Sequence, residues 1–396
     1  GLEDPEKLKN DRTYNTAGMF TDEFGNTRFY DNETDNYQQD HFQLHWNERI
    51  GASFTTNFAL HYTKGKGYYE NYEEDAAFED FGLAPVAGQT STDLIRQKWL
   101  DNDFYGATGS VNFKNNRFDV IMGGGWNRYE GAHFGKVIWA RYFSNRELGD
   151  KYYDDDAIKT DGNVFAKATI GIFGGLSGYV DLQYRNVNYQ ADGNETGTVD
   201  DSFSFFNPKA GLTYEINPKN TVYASYARAN REPNRDDYEN GNPEPEQLDD
   251  FELGWRFNTN AVRLNINGYY MKYKNQLVLT GALNDVGAPV RENIGDSYRL
   301  GVEAEAVIRV TPKLFLKPNI TVSQNRNKDF YFQRDGVLQN LGDTRIAFSP
   351  NVVAANQIQW LAFKGFQVAL LSKFVGDQYM GNIDSEKSKL KSYAVS

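Results

Sequence analysis

The chain has 396 residues, with 54 acidic against 42 basic side chains, a net charge of -12, no cysteine and an aromatic share of 15%. That length fits two or three ordinary domains or one large barrel; the missing thiols exclude a disulfide scaffold, a thiolate metal centre and a cysteine nucleophile, and the acidic balance argues against a general nucleic-acid binder. No apolar run reaches eighteen residues, which excludes a membrane-spanning helix but not a barrel strand, which needs only about ten residues with every second one apolar.

The opening GLEDPEKLKN has neither the basic start nor the apolar core of a signal peptide. The stretch through Tyr37 reads as loop, so we expect a piece of a longer protein rather than an intracellular one. Alternation then begins. In GASFTTNFALHYT the even positions Phe54, Phe58, Leu60 and Tyr62 are apolar and the odd positions Ser53, Thr55, Asn57 and His61 are polar. The pattern returns in LSGYVDLQYRNVNY, VRLNINGYY and DSYRLGVEAEAVIRV, where Tyr298, Leu300, Val302, Ala304, Ala306 and Ile308 oppose Arg299, Glu303 and Glu305. A period of two over eight or more residues predicts strands with one apolar face. The glycines at 123–125 fall inside such a strand and neither open a helix nor follow dinucleotide-binding spacing. In NPEPEQLDDFELGWRF an acidic, proline-broken lead-in gives way to Phe251, Leu253, Trp255 and Phe257 on one parity, with Glu252 and Arg256 on the other. Pro208, Pro318 and Pro350 each remove a ladder donor, so bulges or strand starts are expected there, and the face register is expected to change around Pro208.

Connections supply the second signal. Tight turns are predicted near residues 49–51, 114–117, 173–176, 216–220, 258–261, 310–313 and 362–365. Between them lie long polar, aromatic-rich loops, for example 64–103 and 127–156. Short and long connections alternate, giving about fourteen strands. A propeller would repeat a motif per blade, and a sandwich or β-helix would not keep every long loop at one end. The reading that satisfies both is a transmembrane antiparallel up-and-down β-barrel.

Residues 206–257, FNPKAGLTYEINPKNTVYASYARANREPNRDDYENGNPEPEQLDDFELGWRF, resemble the barrel of TonB-dependent receptors. DNYQQDHFQLHWNERI and LHYTKGKGYYENYEED look like the matching stretches of Bacteroides-type receptors, and the loop style is similar to the iron-transport subgroup. The resemblance implies a 22-stranded barrel of which this chain is an internal part, spanning residues 1–396, with the plug and further strands lying outside it. It implies a Gram-negative outer membrane, with lipid and lipopolysaccharide around the barrel, and a TonB energy-coupling complex acting through the plug. The implied activity is uptake of a large scarce solute, first an iron-siderophore complex, with cobalamin, haem or glycan as alternatives. A passive porin and a secreted binding module compete with it from other classes; long aromatic loops that would cap a channel count against the porin.

No G-x-S-x-G, H-E-x-x-H or P-loop pattern is present, so neither catalysis nor a cofactor is expected. His41 and His61 share lumen parity, and a register in which paired numbers sum to 102 would set them opposite each other as a metal or haem-iron pair; the competing reading is two polar rim residues. Haem receptors of the family place a histidine near the segment matching 228–234, and ARANREPN has none, which counts against haem. The acidic groups at 73–75, 154–156 and 236–237 lack EF-hand spacing and read as solvated loop charge rather than calcium ligands. Arg228, Arg231 and Arg235 lie where a strand enters its outer loop. With Trp126, Tyr129, Trp139, Arg141 and Tyr142, and with His133 in its own outer loop, they form a candidate set for an anionic, ring-bearing ligand. For the aromatics, the interfacial girdle of a barrel is the competing explanation.

Overall fold

The computed structural model describes residues 5–13, 15–143, 147–283, 289–334 and 337–396. Among the described residues, fourteen long strands run in chain order: β1 (Thr34–Ile50), β2 (Phe54–Ala77), β3 (Ser91–Lys114), β4 (Phe118–Ala140), β5 (Lys151–Phe173), β6 (Leu176–Asp192) and β7 (Val199–Asn217). They continue with β8 (Asn220–Arg231), β9 (Glu246–Asn258), β10 (Val262–Lys274), β11 (Ser297–Thr311), β12 (Leu314–Asn327), β13 (Val352–Phe363) and β14 (Phe366–Val375). Each pairs antiparallel with the next, so one large sheet follows the chain without a crossover. The short strand Tyr393–Val395 continues it beyond β14.

Six of the seven tight turns fall within the spans expected from the sequence, while the β1–β2 turn lies at 51–53 rather than 49–51, and the chemistry is visible. Phe173 pairs with Leu176 across Gly174 and Gly175, both at positive φ, the two-residue geometry that matches strand twist. Asn115 caps the β3–β4 turn by accepting from the Arg117 and Phe118 backbone amides.

Residue parity sorts the two faces. Leu253, opposite Ala224, is 68% exposed, and Val164, Leu300, Val302, Ile320 and Leu370 stand out on the same side, with no second layer over them among the described residues. The reverse side carries Glu252, Arg256, Asn267, Glu303 and Glu305. An apolar face open along fourteen strands is uncompensated in water and satisfied in hydrocarbon. The polar side is called the inner face below.

Inner-face tyrosines are laid flat across this wall. Tyr223 on β8 covers Gly254 on β9 and donates to Asn267 Oδ1 on β10 at 3.1 Å. Tyr37 on β1 covers Gly65 on β2 and reaches Asn102 Oδ1 on β3 at 2.7 Å. Tyr269 on β10 covers Gly301 on β11 and shares a hydrogen bond with Ser323 on β12. A side chain at the glycine would occupy the ring's place, so each glycine lets one tyrosine tie three strands together.

Two expectations need correction. The long outer loops are mostly strand. β2 to β5 are 23 or 24 residues long, more than twice what a bilayer requires, and the connections shrink to 78–90 and 141–150. Above the membrane neither face meets lipid, so clean alternation is lost while the ladder continues. Nor does Pro208 shift the register: β6–β7 pairing runs straight through Leu182 and Pro208. Instead the β7–β8 ladder stops at Lys209, one residue short of the proline, and Asn230 bridges the gap to Asn207 at 2.8 Å. The apparent change came from Phe203 and Phe205, which stack on the inner face. Pro318 likewise sits inside β12, beside a local gap in the β11 ladder without slippage, whereas Pro350 precedes β13.

Candidate functional site

Towards the outer ends of the strands, folded loops pack against parts of the inner face. Loop 78–90 buries Phe78, Phe81 and Leu83 against Leu94 and Val137. Residues 232–245 fold inward around the short helix Arg235–Glu239. Its start is fixed by a capping box: Asn234 accepts from the Asp237 amide at 3.0 Å, and the Asp237 carboxylate accepts from the Asn234 amide at 2.8 Å. Tyr238 stacks on Tyr189 of β6 at 5.2 Å and donates to Asp201 at 2.6 Å. Arg291 clamps the far side of Asp237 at 3.0 Å.

Arg235 is thereby carried to Asp155 of β5, the hub of the region. The Asp155 carboxylate is fully buried and accepts from the Asn194 and Glu195 amides at 2.6 and 3.2 Å and from Arg235 Nη2 at 2.8 Å. Gly193 is required beside it, because a Cβ there would overlap the carboxyl group. Arg235 also pairs with Glu239 at 2.6 Å and Glu195 at 3.3 Å.

Beneath this hub lies a cavity of about 390 Å³ lined by Tyr37, Tyr69, Lys98, Leu100, His133, Tyr153, Glu195, Arg235 and Glu239, among others. Burial, and then the Arg235 charge, push His133 down to about 4, so it is a neutral imidazole at pH 7. Burial holds the Tyr153 hydroxyl well above its ordinary range, as a phenol. Burial also raises the Glu239 carboxyl, against the pull of Arg235. The walls therefore offer aromatic faces, phenol and imidazole hydrogen-bonding groups, and a field of carboxylates.

Of the candidate residues, the fold gathers three. His133 and Arg235 line the cavity, and Tyr129 lies on the same face, flat over Gly131. His133 belongs to β4, not to a loop. Arg231 is on the inner face but is held by Glu246 at 2.9 Å. The others lie away from the cavity. Trp126 is 45% exposed on the bilayer-facing parity, and Arg228 shares that face with Tyr226 and Asp249, pairing with Asp249 at 2.8 Å. A bulge between Ile95 and Arg96 turns Trp139 outward to stack near Tyr72 at 6.2 Å. Arg141 there pairs with Asp93 at 2.7 Å, and the Tyr142 amide donates to Thr92.

His41 and His61 share the inner face but are not opposite each other. Paired numbers on β1 and β2 sum to 104, because Gly51 at positive φ opens a three-residue turn, so His41 faces Thr63 and His61 faces Gln43. Each imidazole has its own partner, Thr63 at 3.0 Å and Asn127 at 2.8 Å. Among the described residues, no group of three or more histidine or acidic side chains is placed to hold a metal ion. The acidic groups at 154–156 and 236–237 are not wholly solvated, since Asp155 and Asp237 are buried and ion-paired. Sequence reasoning missed Tyr37, Tyr69, Lys98, Tyr153, Glu195 and Glu239. The first two were within reach, since Tyr37 and Tyr69 share the odd parity of His41 and His61.

A one-sided antiparallel wall with short turns at one edge and a polar cavity at the other defines a transmembrane β-barrel protein of the outer-membrane kind. Residues 4–396 match the family described as TonB dependent receptor-like, beta-barrel, and the chain belongs to it. The sequence matches none of the curated proteins compared with it. Among solved structures, it is similar to the ferric-catecholate import receptor Fiu of E. coli K12, with 14% identity and TM-score 0.64, covering 93% of this chain and 58% of that one. It is also similar to the copper transporter OprC, with 13% identity and TM-score 0.69, covering 91% and 56%. A third is the siderophore receptor PiuA of Acinetobacter baumannii, with 14% identity and TM-score 0.64, covering 91% and 58%. The chain thus spans under three fifths of the length of these structures, and at such identities the likeness is one of fold.

Proposed function

We propose that the protein is the barrel wall of a receptor for energy-coupled uptake across a Gram-negative outer membrane, and that it takes up a large scarce solute, in the first place an iron-siderophore complex. The observation that carries this reading is the cavity under Arg235 and Asp155, on the inner face of the outer ends of the strands and bordered by the structured segments that carry Glu195, Arg235 and Glu239. A passive pore has no use for an aromatic, hydrogen-bonding pocket bordered by packed loops. A receptor needs such walls to hold a ligand that diffusion supplies too slowly. Coupling to a TonB complex, lipopolysaccharide around the outer rim, and Tyr37, Tyr129, His133, Tyr153 and Arg235 as ligand contacts belong to the same reading. Solved structures of similar fold described as ferric-catecholate and siderophore receptors support iron as the first cargo to test.

The test is growth and radio-iron uptake under iron limitation in cells lacking the full gene, complemented with wild type or with a Tyr37→Ala, Tyr153→Ala receptor. Loss of uptake from one class of iron chelate, restored by wild type but not by the double variant, is expected. Unchanged uptake from every iron source would remove iron and turn the search to cobalamin, haem or glycans.

A further inference from the structure

From the charge around the cavity, we infer that its ligand is neutral or cationic, with an amine-bearing chelate as the favoured class, and not a polyanion. The inference rests on the receptor reading above and narrows it. Four carboxylates line the cavity, Asp35, Glu195, Asp236 and Glu239, against two cations, Lys98 and Arg235. Neither cation is available to a ligand anion. Lys98 is held by Glu195 at 3.2 Å, and Arg235 by the fully buried Asp155 at 2.8 Å. The same holds further along the inner face. Glu232 takes both Lys159 and Arg185, at 2.6 and 2.7 Å, and Asp237 takes Arg291 at 3.0 Å.

Two cations thus serve three carboxylates, Asp155, Glu195 and Glu239, while Asp35 and Asp236 add further negative charge, so a polyanion entering here would meet a net negative field and could recruit a cation only by breaking a pair that the fold already uses. An ammonium group meets the opposite situation. It finds a wall whose carboxylates outnumber its cations and the ring faces of Tyr37 and Tyr69, which attract a cation through their quadrupoles, as the Tyr153 ring already does for Lys98 at 5.7 Å.

These 396 residues contain no cysteine, so with any cysteine elsewhere in the full-length receptor replaced by serine an introduced thiol is read alone. In the full-length receptor in outer membranes, Leu100→Cys places one thiol on the cavity wall. Its modification rates are measured with trimethylammonium-ethyl and sulfonato-ethyl methanethiosulfonates, each divided by the rate with a free thiol. Two net negative charges several ångströms away, partly screened by salt, favour the cationic reagent by roughly tenfold. Glu239→Gln combined with Asp236→Asn is expected to bring the ratio towards one. Tyr37→Cys, at the exposed edge of the cavity, reads the same potential should Leu100→Cys fail to assemble.

In parallel, ferric trihydroxamates carrying either a free amine or its succinylated form are tested for binding, the amine form being expected to bind more tightly. A rate ratio at or below one, or tighter binding of the succinylated form, overturns the inference while leaving uptake intact. A cation-favouring ratio with no ferric chelate bound supports the inference and overturns iron as cargo.

Discussion

Leu253→Lys isolates the physical statement on which the membrane reading depends. Leu253 stands on β9 five residues above Asn258, where the turn to β10 begins. At about 3.4 Å per residue and a tilt of about 40°, this puts its Cα about 13 Å above that end, near the middle of an apolar band about 25 Å tall. Its side chain is 68% exposed, so no protein neighbour can take over the charge. A lysine at that depth costs about 2–4 kcal/mol. The control is Ser225→Lys on the neighbouring β8, which pairs with Glu252 and therefore meets the inner face at almost the same height. There a cation faces water and a carboxylate, and the change should lie within about 0.5 kcal/mol of wild type. Both variants of the full-length receptor would be unfolded in guanidinium from lipid vesicles, with the midpoint shift read by tryptophan fluorescence. Equal destabilisation by the two, or greater destabilisation by Ser225→Lys, would show that the faces have been assigned to the wrong solvents.

Other consequences follow from individual contacts. Gly254→Val should cost about 1–3 kcal/mol by displacing the Tyr223 ring, and the cost should shrink in a Tyr223→Ala background, a coupling that a double-mutant cycle in vesicles measures. Asp155→Asn leaves Arg235 without its buried counter-charge, so amide exchange should rise in 193–197 and 235–239 while β9 to β14 stay protected. Glu232 lies just past the outer end of β8; burial pushes its carboxyl up, but hydrogen bonds from Arg185 and Lys159 outweigh this and hold it at about 2, against an ordinary 4.5. A carboxyl depressed in the folded state stabilises above its unfolded pKa, so up to about 3 kcal/mol is present at pH 7 and is lost as pH falls from about 4.5 towards 2. Glu232→Gln should flatten that part of a stability–pH profile. His133, depressed to about 4, acts in the same direction, because only the unfolded chain binds its proton between pH 6.5 and 4.

What the sequence made legible was set by solvent. Between the tight turns and the outer rim, one face meets hydrocarbon and the other water, so parity is enforced residue by residue and Phe54 to Tyr62 or Phe251 to Phe257 can be read directly. The register of β1 on β2 was not legible to the residue, since His41 and His61 have the same parity whether paired numbers sum to 102 or 104; only the left-handed Gly51 decides it. Above the rim the constraint disappears. Tyr68 and Tyr69, or Trp99 and Leu100, can both be apolar because neither side meets lipid there: all four border the cavity, and the Tyr68 and Trp99 rings also pack on each other at 4.5 Å. The ladder continues with no periodic signature, which is why strands looked like loops.

The same loss of constraint explains where the site formed and why most of its residues escaped notice. Within the bilayer, the position of a side chain is fixed by which solvent its face meets, and a ligand set could be guessed from aromatics and arginines alone. That guess gathered Trp126 and Arg228, which parity sends to the bilayer-facing side. Beyond the membrane, position is set by pairwise chemistry between segments far apart in sequence. Asp155 must find Arg235 eighty residues later, and Gly193 must be small for the loop to reach that carboxylate. No local pattern encodes such a meeting. A chain that extends its strands past the lipid therefore gains a region where buried ion pairs, rather than alternation, decide which groups face the cavity, and it is there that the carboxylates outnumber the cations.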